Sequence, residues 1–206
     1  MINLKPLDVL NFETFAMFLG GCEFGGCYCA VWASHDETWV SRCSDPARPN
    51  LEITRNLVNA GSHVGFLAYD GRDELVGWTG SGPKDGFPFL ALKLASRLTP
   101  SSRNSWSIGC LAVKATARGN KVAEKIAAAV VAKAKVSGAT VIEAYPTRPW
   151  DEPRSFRGSW TMYQRLGFEI AASERDEESD ILLMRLALST AKLNPIGHAS
   201  SETQSP

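Results

Sequence analysis

Apolar and polar positions divide this chain into short runs separated by glycine, proline and charged clusters. The most informative stretch is Ser105 to Ala134, SWSIGCLAVKATARGNKVAEKIAAAVVAKA. It is mainly apolar from Trp106 to Val113, a length suited to one strand, and polar and basic from Lys114 to Asn120. Beyond that, Ala123, Ile126, Ala127, Val130 and Ala134 recur at helical spacing, while Lys121, Lys125 and Lys135 fall off the stripe. The pattern predicts a strand, a basic loop and a helix that ends at Gly138. A loop entering a helix N-terminus collects unpaired N–H groups and the positive end of the helix dipole, which suits an anion such as phosphate.

The remaining elements follow from the same periodicities. Ile2 to Leu4 reads as a first strand stopped by Pro6, and Phe12 to Leu19 as a short helix ending at Gly20-Gly21. Cys22 to Trp32 has too many glycines for a helix interior and too little alternation for a strand, so it reads as an ordered loop. Asp36 to Cys43 adds a helical turn, and a helix from Pro49 or Asn50 runs past Val58 to Gly61. Val64 to Tyr69 and Glu74 to Thr79 form a hairpin around Asp70-Gly71-Arg72-Asp73. Gly80 to Gly86 reads as a loop, Leu90 to Leu98 as a helix, Thr140 to Tyr145 as a strand, and Pro149 to Pro153 as an irregular connection. Ser155 to Leu166 reads as a helix closed by Gly167, followed by strands Phe168 to Ala172 and Ile181 to Leu188 about a charged turn. The order β, α, α, β, β, β, α, β, α, β, β describes a hairpin, a βαβ unit and a closing hairpin in one mixed sheet.

Composition narrows the function classes. The chain has 206 residues, with 22 acidic and 22 basic, so it is not a generic polyanion binder and nucleic acid is not expected as a partner. No apolar run is long enough to span a bilayer, and the first residues lack the basic head of a signal peptide, so no membrane partner and a cytoplasmic location are expected. Cysteine occurs five times, an odd count that argues against a disulfide framework. After Leu188 the composition turns small and polar, so one domain over residues 1–188 with a disordered tail at 189–206 is expected.

Four stretches then carry a family resemblance. The loop Arg118-Gly119-Asn120-Lys121-Val122-Ala123 resembles the acyl-CoA pyrophosphate loop of the GNAT acetyltransferases, Arg/Gln-x-x-Gly-x-Gly/Ala, with Lys121 in place of the central glycine. It follows Cys110-Leu111-Ala112-Val113, where the family has its splayed fourth strand. Gly65 to Tyr69 with Val76-Gly77-Trp78 resembles the second and third strands. Met162 to Phe168 resembles the Tyr-x-x-x-Gly-Phe helix ending, and Ile181 to Leu188 the closing strand. Gly25-Gly26-Cys27-Tyr28-Cys29-x-x-Trp32 is similar to the Gly-Cys-aromatic-Cys-x-x-Trp segment of a bacterial GNAT subgroup. The resemblance implies an α/β (α+β) fold, with a mixed, mostly antiparallel sheet splayed at its fourth and fifth strands and helices on both faces. It implies acetyl-CoA as acyl-donor co-substrate and direct transfer to the primary amine of a small-molecule acceptor. Oligomeric state, a homodimer included, is left open.

The same resemblance assigns roles. The backbone of Leu111, Ala112 and Val113 would pair with the pantetheine arm as an added strand does. Arg118 and the N–H groups of Gly119, Asn120, Lys121, Val122 and Ala123 would hold the pyrophosphate. A Cβ at Lys121 is tolerated in this loop only with φ below zero, its ammonium then compensating for the lost glycine. Tyr163 matches the tyrosine that protonates the departing thiolate; its alternative is a core tyrosine with its hydroxyl on backbone. The family's Asn seven residues earlier is Phe156 here, and Ser159 offers a hydroxyl one turn before Tyr163. Glu143 is the candidate base for the amine, its alternative a surface glutamate, and Tyr145 walls the same pocket. Cys27, Tyr28, Cys29 and Trp32 pack an ordered loop facing the amine. A zinc site from Cys22, Cys27, Cys29 and Cys43 is the competing reading of the cysteines, at poor ligand spacing, and no metal is expected. Cys110 reads as a buried thiol. A catalytically weak CoA-binding sensor of the same fold is the alternative function, favoured by Lys121 and the missing Asn.

Overall fold

The computed structural model describes residues 1–35, 38–89, 104–147, 156–171 and 181–188. The helix read at Leu90 to Leu98, the connection Pro149 to Pro153, the charged turn before Ile181 and the tail from Ser189 lie outside the described residues. Seven strands form one sheet: β1 (Asn3–Pro6), β2 (Phe66–Tyr69), β3 (Leu75–Pro83), β4 (Ser105–Val113), β5 (Val141–Ala144), β6 (Glu169–Ile170) and β7 (Met184–Ala187). Their order is β1-β2-β3-β4-β5-β7-β6, antiparallel except for the parallel pair β4–β5. The helices are α1 (Phe12–Leu19), α2 (Ala30–Ala33), α3 (Trp39–Arg42), α4 (Pro49–Asn59), α5 (Val122–Val136) and α6 (Trp160–Arg165).

Each face of the sheet carries its own core. On one, α1 and α2 lay Phe15, Leu19 and Trp32 against Leu67, Trp78, Ala112 and Tyr145. On the other, α5 and α6 lay Ile126, Ala127, Val130, Met162 and Tyr163 against Phe66, Trp106, Ile108, Leu111 and Ile142. The helical stripe of α5 is buried as its spacing requires: Ile126, Ala127, Val130 and Ala134 are all fully enclosed. Ile126 and Val130 each contribute about 1.5–3 kcal/mol by leaving water.

The β4–β5 pair positions the site. Its register runs from Ser105↔Val141 to Ile108↔Ala144 and stops there, while β4 continues to Val113 paired with β3 alone. Beyond Ile108 the β5-facing edge of β4 has lost its strand neighbour.

Three expectations are corrected. Gly80 to Pro83 is not a loop but the end of β3, pairing with Cys110 to Trp106. Its glycines are there for contact: a Cβ on Gly80 would meet the Cys29 sulfur at 2.9 Å, and one on Gly109 opposite would meet the Trp32 ring at 2.7 Å. Cys22 to Trp32 is not all loop, since it holds a single 3-10 turn at Cys22–Phe24 and the short helix α2. The last helix begins at Trp160 rather than Ser155. Phe156 (φ 53°) and Gly158 (φ 76°) are left-handed, and Ser159 caps α6 by accepting the Met162 N–H at 3.2 Å.

Candidate active site

The site lies where β4 outruns β5. Lys114 N–H donates to Val76 O on β3, so by strand alternation the N–H groups of Leu111 and Val113 point to the opposite, β5-facing side. Leu111 N–H meets the carbonyl of Phe156 there at 2.7 Å. On the same edge Val113 O accepts from Arg118 Nε at 3.0 Å.

From β4 the chain passes through a 3-10 turn, Ala115–Ala117, into the N-terminus of α5. The first N–H groups of this helix have no partner within it, so loop and dipole together form an anion site. Lys121 is the N-cap residue, at φ 55° and ψ 30°, with no side-chain cap. The expectation of φ below zero is therefore corrected. This lysine takes the left-handed conformation that a glycine adopts freely, because the loop needs it to turn into the helix. Its side chain is exposed. Arg118 is anchored elsewhere, its Nη2 2.7 Å from Glu23 Oε2.

Tyr163 is fully buried, and its hydroxyl donates to Arg157 O at 2.9 Å. Burial, then proximity to Cys110, push its pKa up, so the phenol stays protonated across the ordinary range. Arg157 packs its guanidinium 5.2 Å from the Trp32 ring centre, and burial lowers its pKa. Ser159 spends its hydroxyl on the helix cap.

Glu143 is neither exposed nor unencumbered. It is 3% exposed, with Lys84 Nζ at 2.6 Å and Tyr145 OH at 2.9 Å on Oε2, and Arg185 Nε at 2.8 Å on Oε1. Strand register assembles this group, because Glu143 lies opposite Ser107 on β4 and Arg185 on β7. Ser107 Oγ lies 3.0 Å from the Tyr145 hydroxyl. Burial pushes the Glu143 carboxyl up. The hydrogen bonds from Lys84 and Arg185 outweigh it and hold the pKa below the usual carboxylate range. A carboxylate so held is a poor base. Burial, then the neighbouring carboxylate, push Tyr145 well above its ordinary value.

Tyr28, Cys29 and Trp32 are buried, and Cys27 is half-buried. Cys29 accepts from Trp78 Nε1 at 2.9 Å, and burial raises its thiol pKa; burial pushes Cys27 up to about 12. These are protonated thiols, not nucleophiles. Cys43 donates to Trp39 O, and among the described residues no group of three His, Cys, Asp or Glu side chains converges on a metal position. Cys29 and Trp32 wall a cavity of about 410 Å³ together with Leu57, His63, Phe87 and Pro88. Tyr28 instead faces a different hollow, and Tyr145 lies in the Glu143 network.

Sequence reasoning passed over His63, Lys84, Arg157 and Arg185. His63 Nε2 sits 2.7 Å from Ser81 O and so carries the proton, leaving Nδ1 unprotonated; burial lowers its pKa. The Ser62-His63 pair before a strand gave no signal of its own. Lys84 is preceded by Pro83, which directs it off the strand end; Arg185 alternates inward, and a charge at an inward strand position was the available clue.

The profile of the Acetyltransferase (GNAT) family matches residues 28–168. No curated protein sequence matches the chain. Among solved structures, the fold is similar to a GNAT-family protein from Desulfovibrio desulfuricans, with a TM-score of 0.53 and 14% identity over 92% of this chain and 100% of that one. It is also similar to the spermidine N-acetyltransferase from Vibrio cholerae crystallised with CoA and spermine, with a TM-score of 0.56 and 12% identity over 92% of this chain and 96% of that one. An aminoglycoside acetyltransferase in complex with coenzyme A has a TM-score of 0.54 at 15% identity over 91% of this chain and 95% of that one. At these identities the structures speak to the fold alone. The profile, spanning α2 to α6 with the splayed strand pair between them, carries the assignment: this chain belongs to the GNAT acetyltransferase family.

Proposed function

We propose that this protein is an N-acetyltransferase that uses acetyl-CoA to acetylate the primary amine of a small molecule. The observation that carries the reading is the end of β4–β5 pairing at Ile108, with the N-terminus of α5 directly beyond β4. The residues fit the donor at its phosphate end, where Lys121 and the α5 N–H groups offer positive charge, which Arg118 would join on leaving Glu23. At the pantetheine end the fit requires Leu111 N–H to exchange its present partner, Phe156 O. Bound there, acetyl-CoA supplies an acyl group activated as a thioester.

The chain's own residues would do the rest. The unpaired edge of β4 orients the donor, and Leu111 N–H polarises the carbonyl under attack. Tyr163 holds the proton that the leaving thiolate requires. Trp32 and Cys29 wall the acceptor's cavity, and neutral His63, rather than Glu143, is the group there suited to take the amine's proton. The cation-sandwiched Glu143 keeps β4, β5 and β7 in register.

The capped Leu111 N–H and the Arg118–Glu23 pair favour one alternative, a CoA-binding sensor of the same fold. A screen of primary amines for amine-dependent CoA release separates the two. Release with at least one amine supports the enzyme, and CoA binding without release across the screen supports the sensor.

Lys121 supplies a second test. We expect Lys121→Ala to bind CoA roughly five- to thirtyfold less tightly, the gap narrowing at high salt. Lys121→Gly removes the left-handed side chain, and it should raise the unfolding free energy by up to about 1 kcal/mol while sharing the binding defect. Titration calorimetry and urea unfolding check both; tighter CoA binding by the glycine variant would mean that the lysine obstructs the phosphates.

A further inference from the structure

We propose that the turn Phe156–Gly158 is an internal stopper of the donor slot, which withdraws when acyl-CoA seats. The inference rests on the acyltransferase reading above and concerns how its site opens. Two successive carbonyls of this turn hold the two groups on which that reading depends. Phe156 O takes Leu111 N–H at 2.7 Å, and Arg157 O takes the Tyr163 hydroxyl at 2.9 Å. An amide N–H and a phenol each have one proton to donate, so neither group serves a second acceptor well while the turn is in place. The Phe156 carbonyl thus lies against β4 where an added strand's carbonyl would.

The turn is built to be displaceable. Phe156 is held at φ 53°, a conformation an aromatic residue rarely takes, and it persists only because its surroundings over-determine it. The Phe156 ring lies 6.0 Å from that of Phe24 at the edge of the core, and the Arg157 guanidinium lies over Trp32. Gly158 is left-handed as well, and a Cβ there would meet the Tyr163 hydroxyl at 2.9 Å, so the turn is seated on the tyrosine itself. A second contact narrows the same slot from its other end, where Arg118 bridges Val113 O and Glu23. Withdrawal of the turn frees Leu111 N–H and the Tyr163 proton together, so the acid becomes available only as the donor arrives. It also lifts Arg157 from Trp32, coupling donor binding to the wall of the acceptor cavity.

Hydrogen–deuterium exchange of the full chain with and without CoA tests this. The expected result is slower exchange in peptides covering residues 118–124 and faster exchange in peptides covering residues 156–160. Protection of 118–124 with 156–160 unchanged or slowed overturns the stopper and leaves the donor site standing. No protection anywhere removes both readings. Calorimetry of Phe156→Ala is the second arm. Losing the ring contact with Phe24 weakens the seated state, so CoA should bind about three- to tenfold more tightly. Equal or weaker binding would make Phe156 an ordinary part of the cleft wall.

Discussion

Glu143→Gln is expected to lower the unfolding free energy by about 3–5 kcal/mol, the typical cost of breaking one partner out of a buried ion pair. The variant leaves Lys84, 8% exposed, and Arg185 without the carboxylate that both now share. Its amide also loses one of the acceptor oxygens that Lys84, Tyr145 and Arg185 use. Replacing Lys84, Glu143 and Arg185 together by methionine, leucine and methionine should recover much of the loss, because the desolvation cost of all three charges disappears along with their attraction. The pH dependence has a definite sign. The folded pKa of Glu143 lies below its unfolded value, so its contribution is complete above an unfolded pKa of about 4.3 and is lost as pH falls through the folded one. Wild type should therefore lose stability on the acid side more steeply than the glutamine variant. Urea unfolding across pH 3 to 7, as a rough working range, reads both effects. A glutamine variant of wild-type stability with turnover reduced a hundredfold or so would return Glu143 to the role of base.

Tyr163→Phe should lower kcat by about a hundredfold or more, since proton donation is needed only in the transition state, while CoA binds at least as tightly as to wild type because the Arg157 carbonyl loses its hold on the tyrosine. Burial keeps the phenol protonated, so the alkaline limb of the wild-type rate should not appear below about pH 10 on its account. The variant also leaves Arg157 O without its donor, at about 1–3 kcal/mol if no water replaces it. That loss makes a stability control necessary, and urea unfolding beside the kinetics supplies it. Wild-type turnover in a folded Phe variant would mean that water or another group protonates the thiolate, and would leave Tyr163 as the seat of the Phe156–Gly158 turn.

The two residues make the same point from opposite sides. Tyr163 sits on a short helix whose closing Gly167 is visible in the sequence, although the sequence pattern starts it at Ser155 and the cap lies at Ser159. Glu143 gave no such guidance. Its two cations come from residues 59 and 42 positions away, and only register brings them to it.

Local chemistry accounts for what was legible. The α5 stripe, the hairpin turn at Asp70-Gly71, the basic loop and the GNAT resemblance are patterns within a few residues, set by period, turn residues and helix caps. They determined the fold class and the order of the strands along the chain, and they marked the basic loop entering α5 as the candidate anion site. Where glycine served contact rather than turning, the reading failed: Gly80 to Gly82 stay in a strand because Cys29, Trp32 and His63 lie against that strand pair. Tertiary structure alone decided the rest. It put a lysine in the left-handed cap of α5, closed Leu111 and Tyr163 with the carbonyls of Phe156 and Arg157, and buried Glu143 between two cations. Each of these is a pairing across the sheet or its cleft, fixed by register and packing between distant segments, and no spacing along the chain encodes it.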